Sequence, residues 1–285
     1  MEAACPRGRG LLPIPWNAWM PSITGRRQSL SLPRRLVGDL LHAGRALPLV
    51  TFERRMRLGP VLDARKRLPE PPPWSLLFVK AFAIVARQRP ELRRTFLTFP
   101  WPQLFEADES VAAIAVERNY QGEPGVFFGL LKSPDLQPLS EMAATLRRWR
   151  TEPVEAVRPF RRCLKYARLP QLLRRMLWWC AGSCSGRLKT NYFGTFGVSV
   201  TASGGAAALH LISPVTSTLN YGTFASDGSI DVRLHFDHRV FDGMPATRAL
   251  ADLEEALLGP ILQELQAMES PRPEWSRLRV SDYVS

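Results

Sequence analysis

The chain has 285 residues, of which 45% are hydrophobic and 22% are charged, so it can bury a sizeable core and is not a disordered protein. Its formal net charge of +12 predicts a polyanionic partner, which is nucleic acid, an anionic membrane surface or a phosphate-bearing small molecule. The sequence has no zinc-finger spacing, RNA-recognition aromatic signature or basic-leucine pattern, which makes nucleic acid the least expected of the three.

The sequence shows no targeting or spanning segment. No run reaches the roughly 18 to 20 uninterrupted apolar residues of a membrane-crossing helix, and no signal-peptide core follows Arg7 and Arg9. The four cysteines are too few and too unevenly spaced for a disulfide framework, and Cys180 and Cys184 lack a second pair of zinc ligands. We therefore expect reduced thiols, no metal and a cytoplasmic protein.

The N-terminal third predicts an arm followed by alternating helices and strands. Residues 1–30 hold prolines, glycines and scattered tryptophans without a sustained period, which indicates an irregular arm. The apolar spacing then predicts, in chain order, a helix over 34–47, a strand over 47–56, a short charged helix over 59–68 and a buried helix over 74–87. A proline run must end the charged helix, because proline lacks an amide donor.

The middle of the chain contains an unusual basic segment. Strands are predicted over 112–117 and 125–131, and a helix over 140–149. Between residues 158 and 190, arginines and lysines are interleaved with leucines and tryptophans. A basic amphipathic helix of this kind lies on an anionic membrane surface or on a partner. An ordinary surface helix that turns its apolar stripe to the core fits the same pattern, and both interpretations stay open.

The C-terminal third is rich in β structure. Strands are predicted over 194–201, 207–212, 216–224 and 229–236. In the last of these, apolar and polar residues alternate, which predicts one apolar and one polar face. A helix follows and is interrupted at Gly259 and Pro260, and residues 270–285 form a tail rich in proline and charge.

A histidine stands where the last predicted strand ends. His238 is followed four residues later by Asp242 and then by Gly243 at a predicted helix start, so its imidazole is held where backbone geometry is tightly set. Histidine as a residue type changes protonation near neutral pH, so His238 can take the proton of a thiol or hydroxyl as that group attacks a thioester. A structural histidine between sheet and helix is the alternative.

The segment from Asp237 to Gly243 resembles the Asp-His-Arg-x-x-Asp-Gly motif of the dihydrolipoyl acyltransferases, the catalytic cores of 2-oxoacid dehydrogenase complexes. Residues 34–37 resemble the opening helix of that family, residues 78–81 and 90–96 its central helix and exit, and residues 136–147 a later helix. The resemblance covers roughly residues 34–265. The cysteine-containing stretch from 163 to 189 departs from the family pattern.

The resemblance implies roles for several residues. It makes His238 the catalytic base and Ser199 the oxyanion donor, although Ser199 is otherwise an ordinary strand serine with Thr201 and Ser203 close by. It also makes Asp242 a catalytic-site residue that fixes the histidine loop by pairing with Arg34 or Arg35, and the alternative is that Asp242 tunes the basicity of His238. The implied supporting residues are Arg34, Arg35 and Gly243. His235 is expected to be a solvated or sheet-packed histidine.

The resemblance further implies a fold and an assembly. We expect an α/β catalytic domain over 31–269 with a mixed sheet and flanking helices, as in chloramphenicol acetyltransferase, with the basic segment 158–190 as an insertion. A homotrimer or a larger assembly of trimers would place His238 of one chain beside Ser199 of its neighbour. Acyl-coenzyme A is the implied substrate, and a lipoyl- or pantetheine-carrying protein would act in trans, because the chain has no lipoyl attachment sequence. The rival expectations are a non-catalytic scaffold of this fold and a basic membrane or nucleic-acid binder.

Overall fold

The computed structural model describes residues 25–199, 208–209 and 211–269, and residues 25–30 contain no helix or strand. The helices are α1 (Leu32–Gly44), α2 (Gly59–Arg67), α3 (Trp74–Gln88), α4 (Leu139–Thr151), α5 (Arg158–Ala167), α6 (Gln171–Ser183), α7 (Gly186–Phe193), α8 (Gly243–Ala256) and α9 (Leu262–Glu269). The strands are β1 (Leu49–Arg57), β2 (Arg94–Leu97), β3 (Gln103–Glu106), β4 (Val111–Tyr120), β5 (Glu123–Lys132), β6 (Phe196–Ser199), β7 (Ser217–Tyr221) and β8 (Ser229–Asp237).

Six strands form one mixed sheet in the order β1-β8-β7-β6-β4-β5, and β2 and β3 form a separate hairpin. The central strand β6 runs parallel to both β4 and β7, whereas the other neighbouring pairs are antiparallel. Because side chains alternate along each strand, the sheet presents two distinct faces.

The first face, which we call the core face, is covered mainly by α3. This helix is apolar almost all round, and eleven of its residues are buried, so it lies in the centre of the domain. The ring of Phe78 stacks on Tyr221 at 4.3 Å between centroids, and Phe82 meets Phe196 at 4.7 Å. Burying each such side chain stabilises the fold by roughly 1.5 to 3 kcal/mol, so this face holds the main core.

The second face, which we call the cavity face, is covered by helices that pack more loosely. Helix α6 contacts α1, α7 and the strand β2, while α5 packs on α1 and the edge strand β5. Arg174 is the one buried residue of α6, and it pairs with buried Asp39 of α1 at 2.5 Å. The helix is therefore held by a buried ion pair together with partly buried apolar contacts such as that of Trp178 with Phe193.

The predicted elements are largely present, with some differences. The hairpin β2–β3 was not anticipated. A strand was predicted over 207–212, but residues 208–209 and 211–212 belong to no strand, and the other two residues lie outside the described part of the chain. The polar face of β8 is buried near its end: His235 and Asp237 are each 1% exposed, so His235 is packed in the sheet, which was one of its two expected states. The basic segment forms three helices, α5 to α7.

No helix in the described part of the chain is both long enough and apolar enough to cross a membrane. Helix α6 nevertheless exposes large apolar side chains beside its arginines. Leu172 is 82% exposed and Trp179 is 52% exposed.

Candidate active site

His238 lies at the end of β8 in a short loop that two polar neighbours brace. The carboxylate of Asp237 accepts hydrogen bonds from Arg239 Nε at 2.9 Å and Nη2 at 2.7 Å, and from the Arg239 backbone amide at 3.1 Å. The guanidinium of Arg239 also lies over the ring of Phe96 at 4.5 Å. The His238 backbone amide donates to the carbonyl of Pro48 at 3.2 Å. The backbone that carries the imidazole is therefore fixed on both sides.

The imidazole itself faces the outside of this loop. Its side chain is 49% exposed, and its Nδ1 lies 3.3 Å from the carboxylate Oδ1 of Asp242, which is 83% exposed. The contact joins residues four apart and occupies one ring nitrogen, so Nε2 is the atom that remains to exchange a proton with a bound group.

Gly243 sets the start of α8 directly after Asp242. A Cβ at this position would lie 2.7 Å from Cζ of Phe52 on β1, so any larger residue would force the Phe52 ring to shift. The expected support role of Gly243 therefore has a steric basis in this chain.

A buried lysine of the insertion lies near the same loop. Lys189 of α7 is 6% exposed, and its Nζ donates to the carbonyl of Phe96 at 3.1 Å. Burial lowers the pKa of Lys189 to about 8; the nearby carboxylate of Asp237 opposes this shift and the charge of Arg239 adds to it. The insertion thus contributes a titratable group to the surroundings of the histidine loop.

Ser199 lies at the end of β6 on the cavity face. Its backbone carbonyl accepts a hydrogen bond from Nδ2 of Asn220, a fully buried residue of the neighbouring strand β7, at 3.0 Å. The strand reaches this position through Gly194, whose φ of 87° is in the left-handed region that favours glycine. Thr201 and Ser203, the alternative donors, lie outside the described residues.

The sheet register separates Ser199 from His238 within one chain. Ser199 pairs with Asn220, which pairs with Arg233, and His238 follows five residues later. Two strand spacings and five residue rises place the two positions about 19 Å apart. A single tetrahedral intermediate needs both groups within roughly 3 Å of its reacting atoms. One chain cannot bring them together, so a site that uses both needs two chains.

The two arginines expected to support the loop lie elsewhere in the chain. Arg34 and Arg35 belong to α1, which packs on α5, α6 and the edge strand β5, four strands away from β8 in sheet order. Among the described residues, the carboxylate of Asp242 contacts His238 and forms no salt bridge with an arginine of α1. The brace of the loop comes instead from Asp237 and Arg239.

A cavity of about 320 Å³ separates the cavity face from the helices that cover it. Ser199 is among its lining residues, together with apolar side chains of the sheet and of α1 and α6. Within the ranges that the structure describes, no cluster of three or more His, Cys, Asp or Glu residues could hold a metal ion.

Four residues around the site were not singled out from the sequence: Asp237 and Arg239, which are in the quoted motif, and Asn220 and Lys189. An Asp and an Arg two residues apart around a histidine are a detectable signal for a braced loop. The positions of Asn220 and Lys189 depend on strand pairing and on the insertion, which no local pattern reveals.

Comparison with solved structures decides the fold. The chain superposes on a dihydrolipoamide acetyltransferase of Azotobacter vinelandii with a TM-score of 0.59 and 17% identity, covering 90% of this chain and 100% of the other. The chain has the acetyltransferase-core fold. A truncated catalytic core of the 2-oxoacid dehydrogenase complex of Thermoplasma acidophilum gives a TM-score of 0.57 at 17% identity, with 83% of this chain and 99% of that chain covered. A probable dihydrolipoamide acetyltransferase of Listeria monocytogenes gives a TM-score of 0.58 at 16% identity, with 82% of this chain and 94% of that chain covered.

The acetyltransferase-core fold confirms the predicted fold class. At these identities the likeness is one of fold alone, and neither a scan of protein-family models nor a search of curated proteins gave a match. The cubic core of a pyruvate dehydrogenase complex has the same fold. Its TM-score is 0.53 at 17% identity, and the superposition covers 90% of this chain and 99% of that chain.

Proposed function

We propose that this protein is an acyltransferase that moves an acyl group between a coenzyme A thioester and a thiol or hydroxyl acceptor. The observation that carries the proposal is the half-exposed imidazole of His238, held by a braced loop at the end of β8 in the acetyltransferase-core fold. A histidine in such a position is built to exchange protons with a bound group rather than to pack.

The proposed reaction is a direct transfer. Nε2 of His238 takes the proton of the acceptor thiol or hydroxyl as its sulfur or oxygen attacks the thioester carbonyl carbon. The tetrahedral oxyanion accepts a hydrogen bond from the hydroxyl of Ser199. When the carbon–sulfur bond of the thioester breaks, the protonated His238 returns its proton to the departing coenzyme A thiolate. No acyl-enzyme forms. Asp242 holds Nδ1 and so orients the ring.

The assembly belongs to the same proposal. The separation of about 19 Å between Ser199 and His238 within a chain favours a homotrimer, alone or in a larger assembly, in which the two groups come from neighbouring chains. A lipoyl- or pantetheine-carrying protein would deliver or accept the acyl group in trans. The choice of residues is supported by the Azotobacter vinelandii enzyme. In that enzyme a serine, a histidine and an asparagine four residues after the histidine have been studied for their role in the catalytic mechanism.

Turnover by the purified protein tests the proposal. Several acyl-coenzyme A species are offered with thiol and hydroxyl acceptors, and release of free coenzyme A thiol is measured. We expect His238→Ala to lower turnover by about 10² to 10⁴ with the fold and oligomer intact, because a general base is lost and a half-exposed ring contributes little packing. His42→Ala, which changes an exposed histidine of α1, is the matched control and should leave turnover unchanged. Wild-type turnover in His238→Ala would refute the assignment of the base.

A second candidate function is peripheral binding to an anionic surface, which the exposed apolar residues of α6 favour. Leu172, Met176 and Trp179 are exposed on a helix that also carries Arg175. A protein of this kind would bind anionic vesicles in a salt-sensitive manner and would turn over no thioester, which separates it from the enzyme.

A further inference from the structure

The cavity over the second face of the sheet has a floor of small residues. Ala113 of β4 pairs with Gly197 of β6, and Ala115 follows Ala113 on the same face of β4. A Cβ built at Gly197 would lie 3.4 Å from Oγ1 of Thr218, an ordinary van der Waals contact, so the floor at this position has room for a methyl group at most before the neighbours must move. Small side chains at these positions create the cavity.

The walls of the cavity are aliphatic and aromatic. They include Val37 and Leu40 of α1, Phe128 and Leu130 of β5, and Leu177 and Trp178 of α6, all of which are half-buried. Protein interiors close almost all voids larger than a water molecule, so an unfilled apolar space of about 320 Å³ is outside the range of a packing defect. It reaches the lower end of the volumes found for small-molecule sites, roughly 300 to 1,000 Å³.

Polar groups converge on one part of the lining. Ser199 lies there, and so does Thr218, which is 5% exposed and whose hydroxyl has no hydrogen-bond partner within the described part of the chain. A buried hydroxyl without a partner costs free energy that a bound polar group would recover. Elsewhere on the lining are Arg162, which is exposed, and the contacting rings of Tyr166 and Tyr192.

We propose that this cavity binds the aliphatic chain of an acyl group longer than acetyl. The chain lies on the floor of Ala113, Ala115 and Gly197 against the wall of α6, and its carbonyl end lies beside Ser199 and Thr218. The orientation of the carbonyl rests on the proposed function of Ser199, whereas the binding of the chain rests on the shape and lining of the cavity. The insertion, through α6 and α7, thus selects the acyl group.

Binding of free fatty acids tests the cavity without any reaction. Hexanoic, octanoic, decanoic and dodecanoic acids are titrated by calorimetry against the whole protein, below their micelle concentrations. Each added methylene should tighten binding by up to about fourfold, which is the transfer free energy of roughly 0.8 kcal/mol per buried CH₂ expressed as a ratio. Ala181→Phe, which fills the cavity from α6, should abolish this gradient of affinity with chain length.

Two further variants make the result decisive. Ala144→Phe places the same side chain on an exposed position of helix α4, outside the cavity, and should keep the wild-type gradient. Ala113→Val narrows the cavity from the sheet with a residue that suits a strand, and it replaces Ala181→Phe if that variant does not fold.

The failure of this inference is distinguishable from failure of the proposed function. The inference would be overturned if wild-type affinity did not depend on the length of the fatty acid. It would also be overturned if a folded cavity variant kept the wild-type increase of affinity with chain length. Either result would hold even if the protein turned over acetyl-coenzyme A. A gradient that the cavity variants remove would support the chain site even in a protein without thioester turnover.

Discussion

The two faces of the six-stranded sheet are covered in different ways. On the core face, α3 buries eleven of its residues against the strands, and aromatic rings such as Phe78 and Tyr221 stack directly. On the cavity face, α6 buries a single residue, Arg174, and leaves a cavity of about 320 Å³ between helix and sheet. The core face therefore maintains the fold, while the cavity face has the space to bind a ligand.

Both sides of the sheet contain buried charged pairs. On the core side, Lys80 of α3 is buried and pairs with Glu264 of α9, and on the cavity side Asp39 pairs with Arg174 and Asp237 with Arg239. Buried ion pairs contribute little net stability compared with apolar packing, but they fix geometry. They are suited to holding a helix over a cavity and a loop beside a reacting group.

Two adjacent phenylalanines of β5 give the sharpest test of the difference between the faces. Phe127 is fully buried in the main core, where it meets Phe160, a residue that α5 contributes to that core from the sheet edge, and Phe128 is half-buried on the lining of the cavity. We expect Phe127→Ala to lower the free energy of unfolding by about 3 to 5 kcal/mol because it creates a core cavity, and Phe128→Ala to lower it by less than about 1.5 kcal/mol. Urea denaturation measures both. Equal losses would show that the cavity face is packed like the core.

The ion pair of α6 gives a smaller expected effect. Arg174→Met leaves the buried carboxylate of Asp39 without its partner and should lower the free energy of unfolding by up to about 3 kcal/mol, because α6 can detach and expose that carboxylate to water. Hydrogen exchange should rise in α6 and not in α3. The double variant Asp39→Leu with Arg174→Met is the control and should recover most of the loss. Unchanged exchange in α6 would mean that apolar contacts hold the helix.

The core face was the part that the sequence predicted well. The all-round apolar character of α3 and the alternation along β8 have local causes, so they can be recognised without knowledge of the neighbours. The position of His238 at a strand end followed from the same kind of pattern, whereas the fold class followed from the resemblance of residues 34–265 to the acyltransferase cores. The hairpin β2–β3 was missed because its two strands have only four residues each, too few for a period to appear.

The cavity face could not be predicted from local patterns. The alternation of β8 was correct, but the burial of His235 and Asp237 depends on tertiary packing, which the pattern along one strand does not show. The basic composition of residues 158–190 left two interpretations open, because composition does not show that Arg174 turns inward while Leu172 turns outward. The pairing of Asp242 with an arginine of α1 was expected from resemblance alone, and α1 lies at the other edge of the sheet.

The composite site is the central claim, and mixing of inactive subunits tests it most directly. His238→Ala and Ser199→Ala subunits are prepared separately, each with reduced turnover, by about 10² to 10³ in the case of Ser199→Ala. After subunit exchange has been shown by pull-down of differently tagged chains, some interfaces of the mixed trimers join an intact His238 to an intact Ser199. We predict that turnover returns on mixing, to a fraction of the wild-type value set by the proportion of such interfaces. Mixed trimers that form and remain as inactive as either parent would contradict the account, because the catalytic groups would then have to lie within one chain.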